Sequence, residues 1–134
     1  LIGRSTRTNK AGAEFLESHV NKDGYDVEFI EVPNSTLHLT TVCSSPRKGT
    51  IIAAEGHLKE NQISKFAEEI IWIPNNESYA SNTIGYSNDR LIVAAGFPKT
   101  KNILQNEGFR LMSVDMAPIM QADGSLTCLS VYTS

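Results

Sequence analysis

A weak recurrence of two strands, a helix and a third strand is the feature that most restricts the fold of this chain. The pattern returns at intervals of roughly 40 to 50 residues, with low identity between the copies. Strand patterns lie at 50–54, 71–73, 83–86, 91–95 and 109–113, and helical patterns lie at 59–70 and after Pro98. An earlier helix over 12–20 and a strand over 25–29 indicate one further unit. The sequence therefore predicts an α/β fold of small repeated modules.

Length and composition predict a single compact domain over 1–134. The chain has 134 residues, of which 40% are hydrophobic and 20% charged, so it can bury one core. Its net charge is −3, and the basic cluster of Arg4, Arg7 and Lys10 is too small to bind a phosphate backbone. No apolar run approaches the length of a membrane span, and no signal peptide is visible. These features argue against nucleic-acid and membrane partners.

The two cysteines, Cys43 and Cys128, are too few for a disulfide scaffold, and no set of cysteines and histidines has zinc-like spacing. We therefore expect no metal site and a reduced, cytoplasmic compartment. The neighbours of Cys43 are Thr, Val and Ser rather than cations, so this residue is predicted to be a buried apolar filler. His19, on the apolar edge of the first helix, is predicted to pack there.

The second cysteine lies in the segment DGSLTCLS (123–130). Gly124 can adopt a positive φ where the chain turns, and the apolar residues up to Tyr132 favour an extended strand. Cys128 is therefore predicted at the start of a strand. A cysteine attacks as a thiolate and needs a cation or a base nearby, although a lone cysteine is more commonly a small apolar filler.

His38, in the run LHLTT (37–41), is the candidate partner for this thiol. The turn signal PNS (33–35) precedes it, so His38 is predicted at the start of a strand that continues through Cys43. An imidazole can exchange protons near neutral pH, but a histidine between two leucines is also commonly a packed core or edge residue. Neither His38 nor Cys128 establishes catalysis by itself.

Three separated segments together resemble a known enzyme family. GRSTRTN (3–9), LHL (37–39) and DGSLTCLS (123–130) look like the C-terminal signatures of the dimethylarginine dimethylaminohydrolases, in the guanidine-modifying pentein superfamily. Their order and approximate separations match, and the similarity spans essentially the whole chain. By resemblance, penteins arrange five ββαβ modules around a pseudo-fivefold axis. The chain would then be the C-terminal part of a single catalytic domain, a partial α/β propeller with two to three of the five modules.

The resemblance implies a hydrolase that acts on C–N bonds of a guanidino-modified amino acid, without a cofactor. Cys128 would attack the guanidinium carbon of dimethylarginine, and His38 would act as general acid and then base, through a thiouronium intermediate, to give citrulline and dimethylamine. Arg7 would contact the substrate carboxylate, whose geometry a guanidinium matches with two hydrogen bonds. The backbone carbonyls of Ala122 and Asp123 would accept hydrogen bonds from the substrate guanidinium.

The resemblance also implies groups outside this sequence. In the family, the acidic side chains that hold the guanidinium and orient the histidine lie upstream of the arginine segment, and no acidic residue here can be matched to them. Glu55, Glu77 and Asp115 could replace them by charge only. The chain opens at Leu1 inside a strand pattern, so we expect a truncated or processed piece that needs an N-terminal half or a companion chain for turnover. A homodimer is also left open.

Two other functions stay open at this stage. Arginine deiminases and amidinotransferases share the cysteine and the histidine but are less similar around the cysteine, and they would release ammonia or transfer an amidino group. A non-catalytic pentein would keep the fold as a binding module. In that case Cys128 would alkylate as slowly as Cys43 near neutral pH, because a base would not support its thiolate.

Overall fold

The computed structural model of the protein describes residues 1–131, and the chain divides into two compact units, Leu1–Leu39 and Thr40–Ser134. Unit 1 contains β1 (Ile2–Arg4), α1 (Lys10–Val20) and β2 (Phe29–Glu31). β1 and β2 pair in parallel. The Asn9 side chain accepts a hydrogen bond from the Gly12 backbone N–H at 2.8 Å, which caps the start of α1. Unit 1 is thus a strand, helix, strand element, and it contains the helix that was predicted for a further unit.

Unit 2 contains two modules with the same topology. The first comprises β3 (Cys43–Arg47), β4 (Thr50–Ala54), α2 (Glu60–Ile63) and β5 (Glu69–Ile73), and the second comprises β6 (Ile84–Tyr86), β7 (Arg90–Ala94), α3 (Pro98–Asn106) and β8 (Arg110–Val114). In each module the first two strands form an antiparallel hairpin, and the third strand pairs in parallel with the second. A short helix, α4 (Ala117–Met120), follows. This arrangement confirms the predicted ββαβ recurrence.

The core of unit 2 lies around the central strands of its modules. Every residue of β4 is buried, and Ile52 and Ile63 are fully inaccessible to solvent. A continuous apolar run is expected of a strand that is covered on both faces, and β4 has neighbours on both edges as well. A second apolar cluster joins the C-terminal segment to the second module through Ile84, Ala94, Met116 and Leu126. The segment that carries Cys128 therefore packs on that module.

The helix predicted over 59–70 is wrong in its second half. α2 covers only Glu60–Ile63, a 3-10 helix follows over Ser64–Phe66, and Ile70 lies in β5. β5 pairs in parallel with β4, so the run of isoleucine and tryptophan at 70–73 is stabilised more by the sheet than by a further helical turn. The strand predicted over 25–29 lies further along the chain, at Phe29–Glu31, because these are the residues that pair with β1.

Glu77 stabilises the start of α3 from a different element. It lies in the 3-10 segment Asn75–Ser81 and is buried. Its carboxylate accepts hydrogen bonds from the Lys99 N–H at 3.2 Å, the Thr100 N–H at 2.7 Å and the Thr100 hydroxyl at 2.8 Å. Burial by itself would raise the pKa of Glu77, but these hydrogen bonds and the charge of Lys99 together lower it. The carboxylate is therefore committed to the fold rather than to a guanidinium ligand.

Replacing Glu77 with Gln should lower the free energy of unfolding by about 1–3 kcal/mol at neutral pH, because buried donors lose a charged acceptor. The pKa of Glu77 is lower in the folded state than in the unfolded state. The stabilisation is therefore present above the unfolded pKa and is lost as the pH falls through the folded pKa. Urea unfolding at neutral and acidic pH measures it, with the exposed Glu107→Gln after the same helix as control. An equal loss for Glu77→Gln at both pH values would contradict this linkage.

Candidate active site

Unit 1 contains the candidate carboxylate anchor, Arg7. It is exposed and lies in the tight loop that connects β1 to α1. The Thr8 N–H donates to the Ser5 carbonyl at 3.2 Å, and the Arg7 N–H donates to the Ser5 hydroxyl at 3.1 Å. The loop is thus held by local hydrogen bonds to Ser5, while the Arg7 side chain stays accessible to an anion.

Ser5 also links this loop to the segment that carries His38. Its hydroxyl donates a hydrogen bond to the Leu37 carbonyl at 2.7 Å. Nearby, a Cβ at Gly3 would lie 2.6 Å from the Leu39 Cβ, so β1 and the histidine segment approach to a distance that only glycine allows. Unit 1 therefore brings the arginine loop and the histidine segment together. Ser5 could not be recognised as this link from the sequence, because a serine in a loop is typical of any helix start.

His38 is not at the start of a strand, so that prediction was wrong. It is exposed and precedes a 3-10 helix over Leu39–Thr41, and β3 begins only at Cys43. β3 pairs with β4, which ends at Ala54. The Ala54 N–H donates to the Val42 carbonyl at 2.9 Å. The residues before Val42 lie beyond the end of β4, and they form the 3-10 helix instead of a strand.

Unit 2 contains the candidate nucleophile, Cys128. It is exposed and lies in a 3-10 helix over Leu126–Leu129, so the predicted strand start was wrong for the described part of this segment. The Cys128 N–H donates to the Ser125 carbonyl at 3.0 Å, and this local hydrogen bond closes a helical turn. Tyr132, the last residue of the predicted strand, lies outside the described residues. The thiol is therefore presented by a short turn.

The chain reverses before this turn at Asp123 rather than at Gly124, which corrects the predicted positive φ. Asp123 has a φ of 57°, which a short polar side chain tolerates, and Gly124 is not among the residues with positive φ. Gly124 is required for space instead, because a Cβ there would lie 2.6 Å from the Ile119 Cγ2. Ala122 and Asp123, whose carbonyls are the candidate guanidinium acceptors, are both exposed.

Asn82 fixes the turn that carries Cys128. It is 1% exposed, and its amide oxygen accepts the Thr127 N–H at 3.1 Å. Its amide nitrogen donates to the Thr127 hydroxyl at 2.8 Å and to the Thr40 carbonyl. One buried side chain thus holds the backbone N–H and the hydroxyl of the residue that precedes the cysteine. The sequence offered no signal for it, since an asparagine before a strand is typical of an ordinary loop.

Tyr79 holds the same segment at its other end. Its hydroxyl donates to the Gly124 carbonyl at 2.8 Å. Burial, and to a smaller extent the charge of Cys128, raise the pKa of Tyr79, so the hydroxyl stays protonated and remains a donor. Together with Asn82, Tyr79 makes the cysteine turn a rigid part of unit 2.

Cys43 has a different environment. It is 8% exposed in β3, and burial raises the pKa of its thiol to about 11. Such a thiol stays protonated at neutral pH and is a poor nucleophile. Cys43 is therefore the buried filler that was predicted, whereas Cys128 is open to a ligand.

Within residues 1–131, no group of three or more histidine, cysteine, aspartate or glutamate side chains is arranged to hold a metal ion. In the same part of the chain, every helix is too short or too polar to cross a bilayer. The candidate groups are thus a thiol in unit 2 and an imidazole and a guanidinium in unit 1. These side chains can supply a nucleophile, an acid or base, and an anion anchor.

No protein-family model matches the chain. The dimethylarginine dimethylaminohydrolase of Pseudomonas aeruginosa is 32% identical to it over 130 residues, which are 97% of this chain and 50% of that protein. A solved structure of a variant of the Pseudomonas aeruginosa protein superposes with a TM-score of 0.83 at 31% identity, covering 94% of this chain and 48% of the other. A second solved dimethylarginine dimethylaminohydrolase superposes with a TM-score of 0.82 at the same identity and coverage. The chain spans about half the length of the curated relatives it matches.

The match extends over nearly the whole chain in both sequence and backbone, so the chain has the pentein fold. The predicted fold, an α/β pentein with two to three ββαβ modules, is confirmed. Among proteins of this fold, it is a dimethylarginine dimethylaminohydrolase-like pentein. That residues 1–134 are part of a single catalytic domain stays a prediction.

Proposed function

We propose that the complete protein hydrolyses dimethylarginine to citrulline and dimethylamine. The observation that carries this proposal is the exposed Cys128 thiol on a turn that Asn82 and Tyr79 fix. Free cysteines are usually buried, so an exposed one in a rigid turn favours a reactive role. The similar Pseudomonas aeruginosa protein has the name dimethylarginine dimethylaminohydrolase, and its solved variant is complexed with citrulline, the product proposed here.

In the first half-reaction, the Cys128 thiolate would attack the guanidinium carbon. That carbon is bonded to three nitrogens and is a poor electrophile, so a covalent route divides one high barrier into two smaller ones. The bond from this carbon to the dimethylated nitrogen breaks, and the imidazolium of His38 gives its proton to that nitrogen. Dimethylamine leaves, and a thiouronium remains on the sulfur.

In the second half-reaction, the same imidazole would act as a base. His38, now neutral, takes a proton from water while the oxygen bonds to the thiouronium carbon. The C–S bond then breaks, the sulfur leaves as the Cys128 thiolate, and the second proton of the water passes to solvent as the ureido carbonyl of citrulline forms. One water is consumed, and His38 is protonated again for the next cycle.

Arg7 would bind the substrate carboxylate through two parallel hydrogen bonds. A lysine keeps the charge but not the paired donors, so Arg7→Lys should raise KM by about tenfold with a smaller change in kcat. Steady-state kinetics on dimethylarginine measure this effect. Arg4→Lys is the matched control, because the Arg4 guanidinium is already paired with Glu31 at 3.0 Å. A KM for Arg7→Lys equal to that of the control would exclude Arg7 as the anchor.

The acids that would hold the guanidinium are expected from a part of the complete protein outside this chain, which spans about half the length of its curated relatives. We expect the complete protein to release citrulline and dimethylamine, and the 134-residue chain alone to release neither. Chromatographic identification of the products tests this proposal. Ammonia in place of dimethylamine would indicate a deiminase, and a transferred amidino group would indicate a transferase. Steady turnover by the 134-residue chain alone would contradict the need for that further part.

The probe for the covalent step is S-methyl-L-thiocitrulline. A solved dimethylarginine dimethylaminohydrolase variant carries an adduct with this compound. A stable adduct changes the intact mass, so it can be detected even when later steps are slow. We expect any adduct on this chain to lie on Cys128, because Cys43 is buried and protonated.

A further inference from the structure

The polar groups beneath Cys128 form a continuous series of hydrogen bonds. Asn82 Nδ2 lies 2.8 Å from Thr127 Oγ1, Thr127 Oγ1 lies 3.5 Å from Ser125 Oγ, and Ser125 Oγ lies 3.3 Å from Cys128 Sγ. Asn82 and Ser125 are both buried, so bulk water does not compete for these contacts. The series ends at the sulfur, which is exposed.

The direction of the series follows from Asn82. Its amide oxygen must accept from the Thr127 backbone N–H, and its amide nitrogen must donate to the Thr40 carbonyl, so the amide has one orientation. The second N–H of that nitrogen donates to the Thr127 hydroxyl. This hydroxyl is then free to donate its own proton to Ser125. Ser125, as the acceptor of that proton, is left to donate to Cys128 Sγ.

We propose that Ser125 donates a hydrogen bond to the Cys128 thiolate, and that Thr127 and Asn82 are positioning residues that orient this donor. The inference rests on the proposed function, in which Cys128 is the nucleophile. A hydroxyl that donates to sulfur favours the thiolate, because the charged sulfur is the stronger acceptor. Unit 2 would thereby prepare the thiol for attack through neutral groups alone.

The titratable groups on the segments next to this turn are Tyr79 and Asp123. The Tyr79 hydroxyl is bonded to the Gly124 carbonyl, and the pKa of Tyr79 is raised, so Tyr79 brings no charge to the sulfur in the neutral range. Asp123 is exposed, and its charge is screened by solvent. Ser125 is therefore the group of this turn expected to affect the thiolate most.

The test is the pH profile of Cys128 alkylation by iodoacetamide, followed on the cysteine peptides by mass spectrometry. In Ser125→Ala, the midpoint of the profile should move up by about one pH unit. Below the midpoint the variant should react about threefold more slowly, and on the plateau about threefold faster, because a more basic thiolate is more nucleophilic. A turn that is merely loosened would not produce such a crossing of the two profiles.

Three further variants distinguish an effect of this hydrogen-bond series from a general loss of structure. Thr127→Val, which replaces the hydroxyl with a methyl group, should move the midpoint in the same direction by less, and Thr127→Ser should restore it. Ser130→Ala is the matched control, because the Ser130 hydroxyl donates to the Leu126 carbonyl at 3.1 Å. Cys43 should stay unlabelled throughout, which verifies that each variant is folded.

Two results would overturn the inference in distinguishable ways. If the Ser125→Ala profile coincides with that of the wild type, or if Ser130→Ala shifts equally, Ser125 is not the donor, and Cys128 is still the candidate nucleophile. If wild-type Cys128 alkylates no faster than free glutathione at neutral pH, the sulfur is not activated. The proposed function then fails together with this inference.

Discussion

In the complete protein, His38→Ala should lower the rate of citrulline formation from dimethylarginine by about 10³-fold or more, because both half-reactions would lose their proton transfer. Expulsion of dimethylamine requires a proton, since the amide-like anion is too basic to leave. Attack of water on the thiouronium requires a base. The location of His38 on an exposed segment leaves its imidazole accessible for both tasks.

S-methyl-L-thiocitrulline separates these two roles of His38. Its leaving group is methanethiolate, which departs without prior protonation because a thiol is far more acidic than an amine. In His38→Ala, the first half-reaction with this compound should therefore proceed while the second stalls. Intact-mass spectrometry should show an adduct on Cys128 with little citrulline, whereas dimethylarginine should give no adduct.

The controls for this experiment are two cysteine variants and one other histidine. Cys128→Ser should show no adduct, and Cys43→Ala should react like the wild type. His57→Ala changes a histidine in the turn after β4 and should leave the rate unchanged within about twofold. Citrulline formation by His38→Ala within a few-fold of the wild-type rate would remove His38 from the mechanism.

The sequence could predict the features of this fold that depend on local pattern. The helical spacing over 12–20 corresponds to α1, and the strand patterns at 83–86, 91–95 and 109–113 lie within one residue of β6, β7 and β8. The strand predictions were wrong at positions where the neighbouring strand of the sheet decides the secondary structure. Ile70 belongs to β5 because it pairs with β4. His38 is not part of β3 because β4, the strand that pairs with β3, ends opposite Val42.

The buried polar residues of the candidate site could not be predicted from the sequence. Asn82 and Ser125 are short polar side chains in segments with loop-like composition. Their roles depend on burial next to a specific partner, and that partner is 45 residues away along the chain in the case of Asn82 and Thr127. The signature DGSLTCLS indicated where the thiol lies, but the groups that orient it became visible only with the fold.

Gly85→Ala should lower the free energy of unfolding by about 3 kcal/mol or more, through a clash between the two modules of unit 2. Gly85 lies in β6 opposite Leu91 of β7, and a Cβ there would overlap the Pro46 carbonyl of β3. The overlap is with backbone atoms, so no change of side-chain rotamer can relieve it. β3 and β6 would have to separate.

That separation would break the polar contacts between the two modules. The Ser44 hydroxyl donates to the Ser81 carbonyl at 2.6 Å and lies 2.7 Å from the Thr83 hydroxyl. Arg47, in β3, donates to the Asp89 carboxylate at 2.9 Å. Ser81 and Thr83 are buried, so loss of these partners adds the cost of unsatisfied polar groups to the cost of the clash.

Urea unfolding followed by circular dichroism measures the Gly85→Ala effect, and Gly12→Ala is the matched control. A Cβ at Gly12 would lie 3.4 Å from the Asn9 side chain, an ordinary contact, and alanine is favoured over glycine in a helix by about 1 kcal/mol. The same substitution should therefore be neutral or stabilising in α1 and strongly destabilising in β6. If Gly85→Ala unfolds at the same urea concentration as the wild type, the close approach of β3 and β6 does not contribute to stability, and the modules are coupled by other contacts.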